Sequence, residues 1–497
     1  MKLSTRLFAS GSVLCLLGLN PAALAADFPV KAPPMSTVYN WTGIYAGVHA
    51  GYGQGMKDWT NSSFDYDVKG FLGGGQIGAN QQIGNWVIGL EADASWSNIK
   101  GDQRFVVGGP LLGITQTASA STKVDGLVTL TGRLGFAQDR WLVYVKGGAA
   151  WAREAHSFGL LATTPVVGGA AATQSTTLSG SEDRFGWTLG FGNEFALWGN
   201  WSFRSEYNYV NFESRRVPLA GTITNGGVTT SLTATAEIQQ TLHLAKFGVN
   251  YRFGPDAPPA VAPSRPAPGY NWTGAWVGAQ VGYGFGQKSW RDFAPNDRFN
   301  VDGWLAGVTT GANVQAGVFV VGIETEWMWT GIRGGRRTVT NPGGFTQTTD
   351  LASKVDWLSL NSVRVGFVAA DRWLVYGKGG IALAKEKHDV DVLQVAPGVG
   401  SQTFDYSGSA LHTGYLAGVG VEYAFLGNWS AKLEYNYINF RLQNVMTSGI
   451  QALNVPPLQV GSITNVQRVG IREEMHLVKV GINYHFNSLM DVISARF

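Results

Sequence analysis

The chain has 497 residues, a formal net charge of +3 and 67 glycines, with 12% aromatic and 14% charged residues. This length allows two to four domains. The many aromatic and few charged residues exclude a disordered chain, and the small net charge gives no strong attraction to nucleic acid or anionic surfaces. Abundant glycine and aromatic residues are instead typical of close-packed strands with aromatic girdles.

Residues 1–25 have the pattern of a secretory signal peptide. Lys2 and Arg6 supply the basic start, residues 7–19 are apolar, and Ala-Leu-Ala at the end fits a cleavage site. The apolar run is too short to span a membrane as a helix, and no later run approaches the necessary length of about 20 residues. Cys15 is the only cysteine, so the exported chain is predicted to contain no disulfide. A membrane location therefore requires a closed barrel.

The remainder of the chain is an internal repeat. Each copy opens with a Pro-rich stretch followed by Asn-Trp-Thr-Gly, and it closes with an alternating strand that ends in Tyr-x-Phe. WTGIYAGVHAGYGQG at 41–55, for example, matches WTGAWVGAQVGYGFG at 272–286. The repeat predicts a Pro-rich lead at 26–39, a first barrel unit at 40–253, a Pro-rich linker at 254–270, a second barrel unit at 271–486 and a tail at 487–497.

The closing segments, LHLAKFGVNYRF at 242–253 and MHLVKVGINYHF at 475–486, alternate between apolar and polar residues. This period of two predicts strands with one apolar face, which an outer-membrane barrel turns toward lipid. Candidate strands lie near 41–54, 69–82, 86–98, 124–136, 141–154, 184–196, 201–213 and 241–253, and near 272–285, 302–315, 319–331, 355–367, 373–386, 411–424, 429–441 and 474–486. We therefore predict an all-β protein made of two tandem eight-stranded, up-and-down antiparallel transmembrane β-barrels.

The connections alternate between short and long. In the first unit, the long connections are rich in Gly, Ser, Thr and Asn and lie near 55–68, 99–123, 155–183 and 214–240. Outer-membrane barrels have short periplasmic turns and long external loops. Tryptophan recurs at the short-turn rim, where a membrane interface favours it. The predicted interface girdle consists of Trp41, Trp86, Trp141, Trp201, Trp272, Trp373 and Trp429.

The polar face of the predicted strands carries charges of both signs. The first unit has Glu91, Asp93, Arg133, Lys146, Glu194, Arg204, Glu206 and Lys246, and the second has Glu324, Glu326, Arg364, Lys378, Glu422, Lys432, Glu434 and Lys479 at equivalent positions. An eight-stranded barrel has a lumen that side chains fill, and buried charges there require partners. We expect an ion-pair ladder that seals each lumen. The alternative is a selectivity or proton path, because intramembrane ionisable residues are candidate functional sites.

The sequence offers no catalytic, cofactor-binding or metal-ligating motif. The histidines follow no HxH, HExxH or Cys–His spacing, and no GxSxG element is present. His243 and His476 occupy equivalent places in the two closing strands, on the outward phase. Interfacial aromatic side chains are the simpler interpretation, and surface ligands for haem or a metal are the alternative. We expect no cofactor and no enzymatic activity.

The opening AADFPVKAPP, the segments YNWTGIYAGVHAGYG and GFLGGGQIGANQQIGNWVIGLEADA, and the closing GVNYRF resemble the outer-membrane immunogenic-protein family of Gram-negative bacteria, which has porin-family, OmpA/OmpX-like barrels. The resemblance covers nearly all of both units. It implies an eight-stranded outer-membrane barrel that is assembled from the periplasm, with a terminal aromatic strand recognised by the barrel-assembly machinery. Tyr251, Phe253, Tyr484 and Phe486 are the candidate assembly signals. The family ordinarily carries one barrel, whereas this chain carries two.

Two functional hypotheses follow. In the first, two sealed barrels have a structural or surface-interaction role, contact outer-membrane lipid and the barrel-assembly machinery, and present polar loops to an extracellular ligand. In the second, small solutes pass by porin-like passive transport, either through one 16-stranded pore that both units close or through unplugged lumens. A Pro-rich linker between the units favours the first hypothesis, since adjacent strands of one barrel are joined by short periplasmic turns.

Overall fold

The computed structural model describes residues 39–59, 64–109, 114–138, 140–164, 171–254, 269–291, 298–455 and 458–486. The predicted signal peptide at 1–25 with Cys15, the lead up to residue 38, linker residues 255–268 and the tail at 487–497 lie outside this part of the chain. No helix among the described residues is long and apolar enough to cross a membrane.

The described chain consists almost entirely of long antiparallel strands. The first unit contains β1 (Gly43–Trp59), β2 (Phe64–Ile83), β3 (Trp86–Gly109), β4 (Ile114–Gln138), β5 (Trp141–Thr164), β6 (Ala172–Ala196), β7 (Trp201–Asn225) and β8 (Val228–Phe253). The second contains β9 (Gly274–Arg291), β10 (Arg298–Ala316), β11 (Phe319–Thr330), β12 (Arg333–Thr340), β13 (Thr346–Ala370), β14 (Trp373–Ala396), β15 (Gly400–Leu426), β16 (Trp429–Val455) and β17 (Leu458–Phe486). Strands β11 and β12 both pair with β13, so together they take the place of one barrel strand with an interruption.

Each unit closes on itself. Strand β1 pairs with β2 and also with β8, where Val48 lies opposite Val249. Strand β9 pairs with β10 and with β17, where Ala279 lies opposite Ile482. The chain therefore forms two eight-stranded barrels, and the prediction of two separate barrels is confirmed. A single 16-stranded barrel would instead pair β8 with β9 and β1 with β17.

The short turns repeat between the two barrels because glycine occupies equivalent turn positions. Gly84 and Gly199 have φ values of 60° and 51°, and Gly317 and Gly427 have values of 61° and 49°. Residues with positive φ match the twist of two-residue hairpin turns, and glycine adopts such values without steric cost. The sequence thereby places these tight turns at one rim of each barrel.

An apolar band surrounds each barrel. On β3 the outward side chains Trp86, Ile88, Leu90 and Trp96 are all exposed. The eleven residues from Trp86 to Trp96 span about 25 Å when a strand is tilted in a barrel, which is the height of the lipid-facing band of outer-membrane barrels. The far edge of the band is a second aromatic girdle, formed by Trp96, Trp151, Phe185, Trp187, Tyr283, Trp304, Trp329 and Tyr415. We call this the outer girdle.

The strands continue well beyond the outer girdle. Segments near 99–123, 155–183 and 214–240 were expected to be long loops, yet β3 runs to Gly109, β4 starts at Ile114, and the β7–β8 turn contains only Gly226 and Gly227. The prediction of long loops is therefore wrong for most of these residues. The reason is that Ser, Thr and Gly were taken as loop residues, whereas Thr has a high strand propensity and the antiparallel pairing continues along these segments.

The two barrels pack side by side. Within the apolar band, Phe191 and Tyr207 of the first barrel contact Ile323 of the second. Beyond the band, Asp67 of the first barrel pairs with Lys385 and accepts a hydrogen bond from the backbone N–H of Leu411 at 3.2 Å. Contacts at both heights place the apolar bands of the two barrels at the same level.

Candidate functional site

The lumen of the first barrel contains a compact ion-pair network centred on Glu91. Its Oε1 lies 2.6 Å from Lys146 Nζ, and its Oε2 lies 2.6 Å from Arg204 Nη1 and accepts a 2.7 Å hydrogen bond from the hydroxyl of Tyr45. Arg204 also pairs with Glu206 at 2.8 Å. All five side chains are buried, so each charge has a partner in a region that water does not reach.

Two further pairs extend this network along the barrel axis. Arg133 lies 3.2 Å from Glu194 on the periplasmic side, and Lys246 lies 2.9 Å from Asp93 on the outer side. The strand register accounts for part of the arrangement, because Arg204 lies directly opposite Glu194 and Lys246 lies directly opposite Glu206. Opposite charges on facing positions of one sheet face stabilise strand pairing.

The second barrel has an equivalent ion-pair ladder, in which lysine residues form most of the pairs. Lys378 Nζ lies 3.1 Å from Glu324, 2.5 Å from Glu326 and 2.9 Å from Glu434. Lys432 pairs with Glu324 at 2.5 Å, and Lys479 pairs with Glu434 at 3.0 Å and with Glu326. Arg364 pairs with Glu422 at 3.2 Å. The structure thus places all sixteen predicted ladder residues inside the two lumens, and all are buried.

Apolar layers lie at both ends of the ladder. In the first barrel, Leu72, Leu127, Val210 and Leu242 belong to a buried cluster on the outer side. At the periplasmic end, Trp41 packs with Val87, Leu142 and Tyr144. The charged layer and the apolar layers on either side of it fill the whole width of the lumen with side chains, as expected for an eight-stranded barrel.

Trp41 and Trp272 do not belong to the lipid-facing girdle. Their exposed fractions are 2% and 0%, and they pack edge-on against Tyr39 and Tyr270. The prediction that these two face the interface is wrong. Gly43 and Gly274, which follow them, have φ values of 138° and 141°, a conformation that favours glycine. The chain bends there, so the preceding tryptophan covers the mouth of the barrel.

The other predicted girdle residues have outward side chains. Trp86, Trp201, Trp373 and Trp429 are exposed at the short-turn rim. Trp141 also points outward, but Ala312 and Val314 of the second barrel cover it. The aromatic ends of the closing strands lie at the same rim, where Tyr251 and Tyr484 pack against Trp201 and Trp429 and against Phe253 and Phe486.

His243 and His476 lie in different surroundings although their positions in the repeat are equivalent. His243 is 2% exposed. Its Nδ1 lies 2.7 Å from the hydroxyl of Tyr207, and its Nε2 lies 3.2 Å from Thr413 Oγ1 of the second barrel. His476 is half-buried beside the hydroxyl of Tyr435, at 2.6 Å. The interface between the barrels therefore covers His243, and the haem hypothesis loses one of its two surface ligands.

A second charged layer lies beyond the ladder, at the ends of the predicted strands and in the first residues of the predicted long loops. In the first barrel Lys57 pairs with Glu154, and Arg184 lies 3.4 Å from the same carboxylate. In the second barrel Lys288 lies 2.5 Å from Glu386 and 3.2 Å from Glu473. The alternation of the sequence could have revealed this second layer, because Lys57 and Glu154 continue the inward-facing positions of their strands.

Three groups of side chains among the described residues have ligand atoms close enough to hold a metal ion. Lysine ammonium groups already occupy the space between Glu324, Glu326 and Glu434. Arg184 occupies the group formed by Glu154, His156 and Glu182, at 3.4 Å and 3.6 Å from the two carboxylates. The third group contains Glu386, His388 and His412, and Lys288 Nζ lies on one side of it, 2.5 Å from Glu386 Oε2. The three members of this group come from two strands, which explains why no linear motif revealed them.

Comparison with known proteins agrees with the fold. Residues 12–253 and 259–455 each match the family model described as outer membrane protein beta-barrel domain. The 31 kDa outer-membrane immunogenic protein of Brucella melitensis biotype 1 is 32% identical over 251 residues, which cover 47% of this chain and 94% of the relative. A 25 kDa outer-membrane immunogenic protein of Brucella canis is 28% identical, covering 42% of this chain and 85% of the relative.

A 22 kDa outer membrane protein of Rhizobium leguminosarum bv. viciae is 30% identical, covering 36% of this chain and 69% of the relative. Each of these relatives thus corresponds in length to one repeat unit, whereas this chain contains two. The lipid-facing band and the matched relatives both indicate an outer-membrane location. The two ring closures agree with the two matches to the barrel domain. The chain belongs to the outer membrane protein beta-barrel domain family, is located in the outer membrane, and contains two copies of the barrel in tandem.

Proposed function

We propose that the protein is a structural component of the outer membrane whose two barrels conduct no solute. The observation that carries this proposal is the filled lumen, in which sixteen buried charged residues pair with one another between apolar layers. A water-filled pore leaves its lining charges hydrated and separated along the channel. Here a solute would have to displace several buried ion pairs, and removing one partner of such a pair costs about 3–5 kcal/mol.

The proposed role is non-catalytic and depends on the outer surface of the barrels. Lipid contacts the apolar band between the two girdles, and the barrel-assembly machinery recognises the closing strands that end at Phe253 and Phe486. The strand ends beyond the outer girdle form a stiff extension of each barrel wall, with short turns available to an extracellular ligand. The backbone pairing of β3 with β4 and of β5 with β6 along these extensions supports this role, since a paired wall holds surface side chains in fixed positions.

Single-channel recording tests the sealed lumens. The chain that begins at Ala26, refolded and inserted into a planar bilayer, is expected to give no conductance steps, or steps far smaller than those of a general porin in the same bilayer. Heat-modifiable electrophoretic mobility of the same sample serves as the folding control. Large and uniform steps from folded protein would contradict the proposal and would identify the charge ladder as the lining of a channel.

A further inference from the structure

Three ligand atoms converge in the lumen of the second barrel, on the outer side of the ladder. Glu386 Oε2 lies 3.5 Å from His388 Nε2 and 3.8 Å from His412 Nε2, and the two nitrogens are 3.3 Å apart. A tetrahedral zinc ion with bonds of about 2.0–2.1 Å has ligand atoms about 3.4 Å apart. The three atoms are therefore spaced like one face of a zinc coordination tetrahedron.

Two carboxyl groups lie close together beside this group. Glu386 and Glu473 are both fully buried and lie within hydrogen-bonding reach of each other, so they need a shared proton or a cation between them. His388 Nδ1 lies 3.0 Å from Ser353 Oγ, a contact that orients the ring with Nε2 toward His412. A hydrogen bond at the remote ring nitrogen is the usual support of a metal-ligating histidine. Two neighbouring buried carboxylates disfavour each other's ionised form, and a bound cation removes that cost.

The first barrel shows how the same position is filled without a ligand. Arg184 faces Ala152 across the strand pair, and His412 faces the equivalent Ala384. Gln240 faces Lys57, and Glu473 faces the equivalent Lys288. Arg184 and Gln240 of the first barrel are thus replaced in the second by an imidazole and a carboxylate.

These exchanges change the charge of the layer. In the described part of the first barrel, the cations Lys57 and Arg184 balance the carboxylates Glu154 and Glu182. In the second barrel, Lys288 faces Glu386 and Glu473, and Ala410 stands opposite Glu386 where Glu182 stands opposite Glu154 in the first barrel. The layer carries one net negative charge when both carboxyl groups are ionised and both histidines are neutral. The second barrel therefore lacks the cation that occupies this place in the first.

We propose that Glu386, His388 and His412 bind a divalent transition-metal ion of the zinc type. Two imidazole nitrogens and one carboxylate oxygen are a common zinc donor set, and imidazole disfavours magnesium and calcium. Glu473 lies in the same layer and offers a carboxylate oxygen as a fourth ligand. Lys288 opposes the ion electrostatically and limits its affinity. The metal ties β14 to β15, and it links these strands to β17 when Glu473 also binds.

Cobalt titration of the refolded chain that begins at Ala26 tests the site, because tetrahedral Co²⁺ absorbs visible light. We expect one saturable Co²⁺ per chain, which Zn²⁺ displaces. His412→Arg restores the side chain found in the first barrel and should abolish binding, as should His388→Gln. Lys288→Met should tighten binding because it removes the opposing charge. Ser353→Ala should weaken it about 10-fold, as expected for loss of an orienting contact.

The first barrel supplies the controls. His156→Gln should leave Co²⁺ binding unchanged, and Arg184→His combined with Gln240→Glu should add a second equivalent. Electrophoretic mobility of unheated samples shows which variants are folded, and Lys288→Met remains informative if the histidine variants fail to fold. Absence of a saturable Co²⁺ spectrum in folded protein would overturn the proposal. An unchanged spectrum in folded His412→Arg, or an unchanged Co²⁺ affinity in folded Lys288→Met, would also overturn it.

Discussion

Replacement of Glu91 by alanine is expected to lower the free energy of unfolding of the first barrel by about 3–5 kcal/mol, the usual cost of removing one partner from a buried ion pair. Glu91 contacts both Lys146 and Arg204 at 2.6 Å, and Arg133 lies 3.9 Å away. Without the carboxylate, three buried cations share the remaining acids. Urea unfolding of the refolded chain in detergent micelles, followed by electrophoretic mobility, measures the change.

Asp125→Ala is the matched control for this experiment. Asp125 belongs to the same barrel and pairs with Lys123 at 2.6 Å, but both side chains are largely exposed. Exposed pairs contribute about 0–1 kcal/mol, so the unfolding midpoint should hardly move. Equal effects of the two substitutions would mean that Glu91 is hydrated, and the lumen would then have to contain water.

The substitution Leu90→Arg is expected to destabilise the inserted barrel by about 2–4 kcal/mol, the cost of arginine at the midplane of an outer-membrane barrel. Leu90 is adjacent to Glu91 but points outward, midway between Trp86 and Trp96, and is 66% exposed. Its exposure is to lipid if the apolar band lies in the membrane. Unfolding from lipid vesicles in denaturant measures the cost.

Ile114→Arg tests the same chemistry at a different height. Ile114 begins β4, well beyond the outer girdle, and is 40% exposed. Arginine there should cost close to zero, because surface substitutions in water usually change stability by less than about 0.5 kcal/mol. If Leu90→Arg were equally harmless, the band between the two girdles would not face lipid.

The parts of the fold that depend on strand alternation could be predicted from the sequence. Glu91 and Leu90 follow one another, and a period of two assigns one to the lumen and the other to lipid. The duplication strengthened each assignment, because Lys146 and Lys378, for example, carry the same sign at equivalent places. Closure of each barrel could also be predicted, since Phe253 ends a strand directly before a Pro-rich segment.

Other features could not be predicted because they depend on the path of the chain between strands. The residues around Lys57 and those that follow Glu154 have loop-like composition, yet strand pairing continues through them. Trp41 is the residue type expected in an interface girdle, but the backbone conformation of Gly43 directs its side chain into the mouth of the barrel. Alternation cannot distinguish lipid from a neighbouring barrel, so the covering of Trp141 and His243 was also missed.

Cysteine cross-linking tests the two ring closures most directly. Starting from the chain without Cys15, paired cysteines are introduced at Val48, Val249, Ala279 and Ile482, which lie on the strands at the two seams. Facing residues of antiparallel strands are close enough for a disulfide or a short thiol cross-linker. Two closed barrels predict cross-links between positions 48 and 249 and between 279 and 482. Cross-links between 48 and 482 and between 249 and 279 instead would contradict two separate barrels and would establish one 16-stranded barrel.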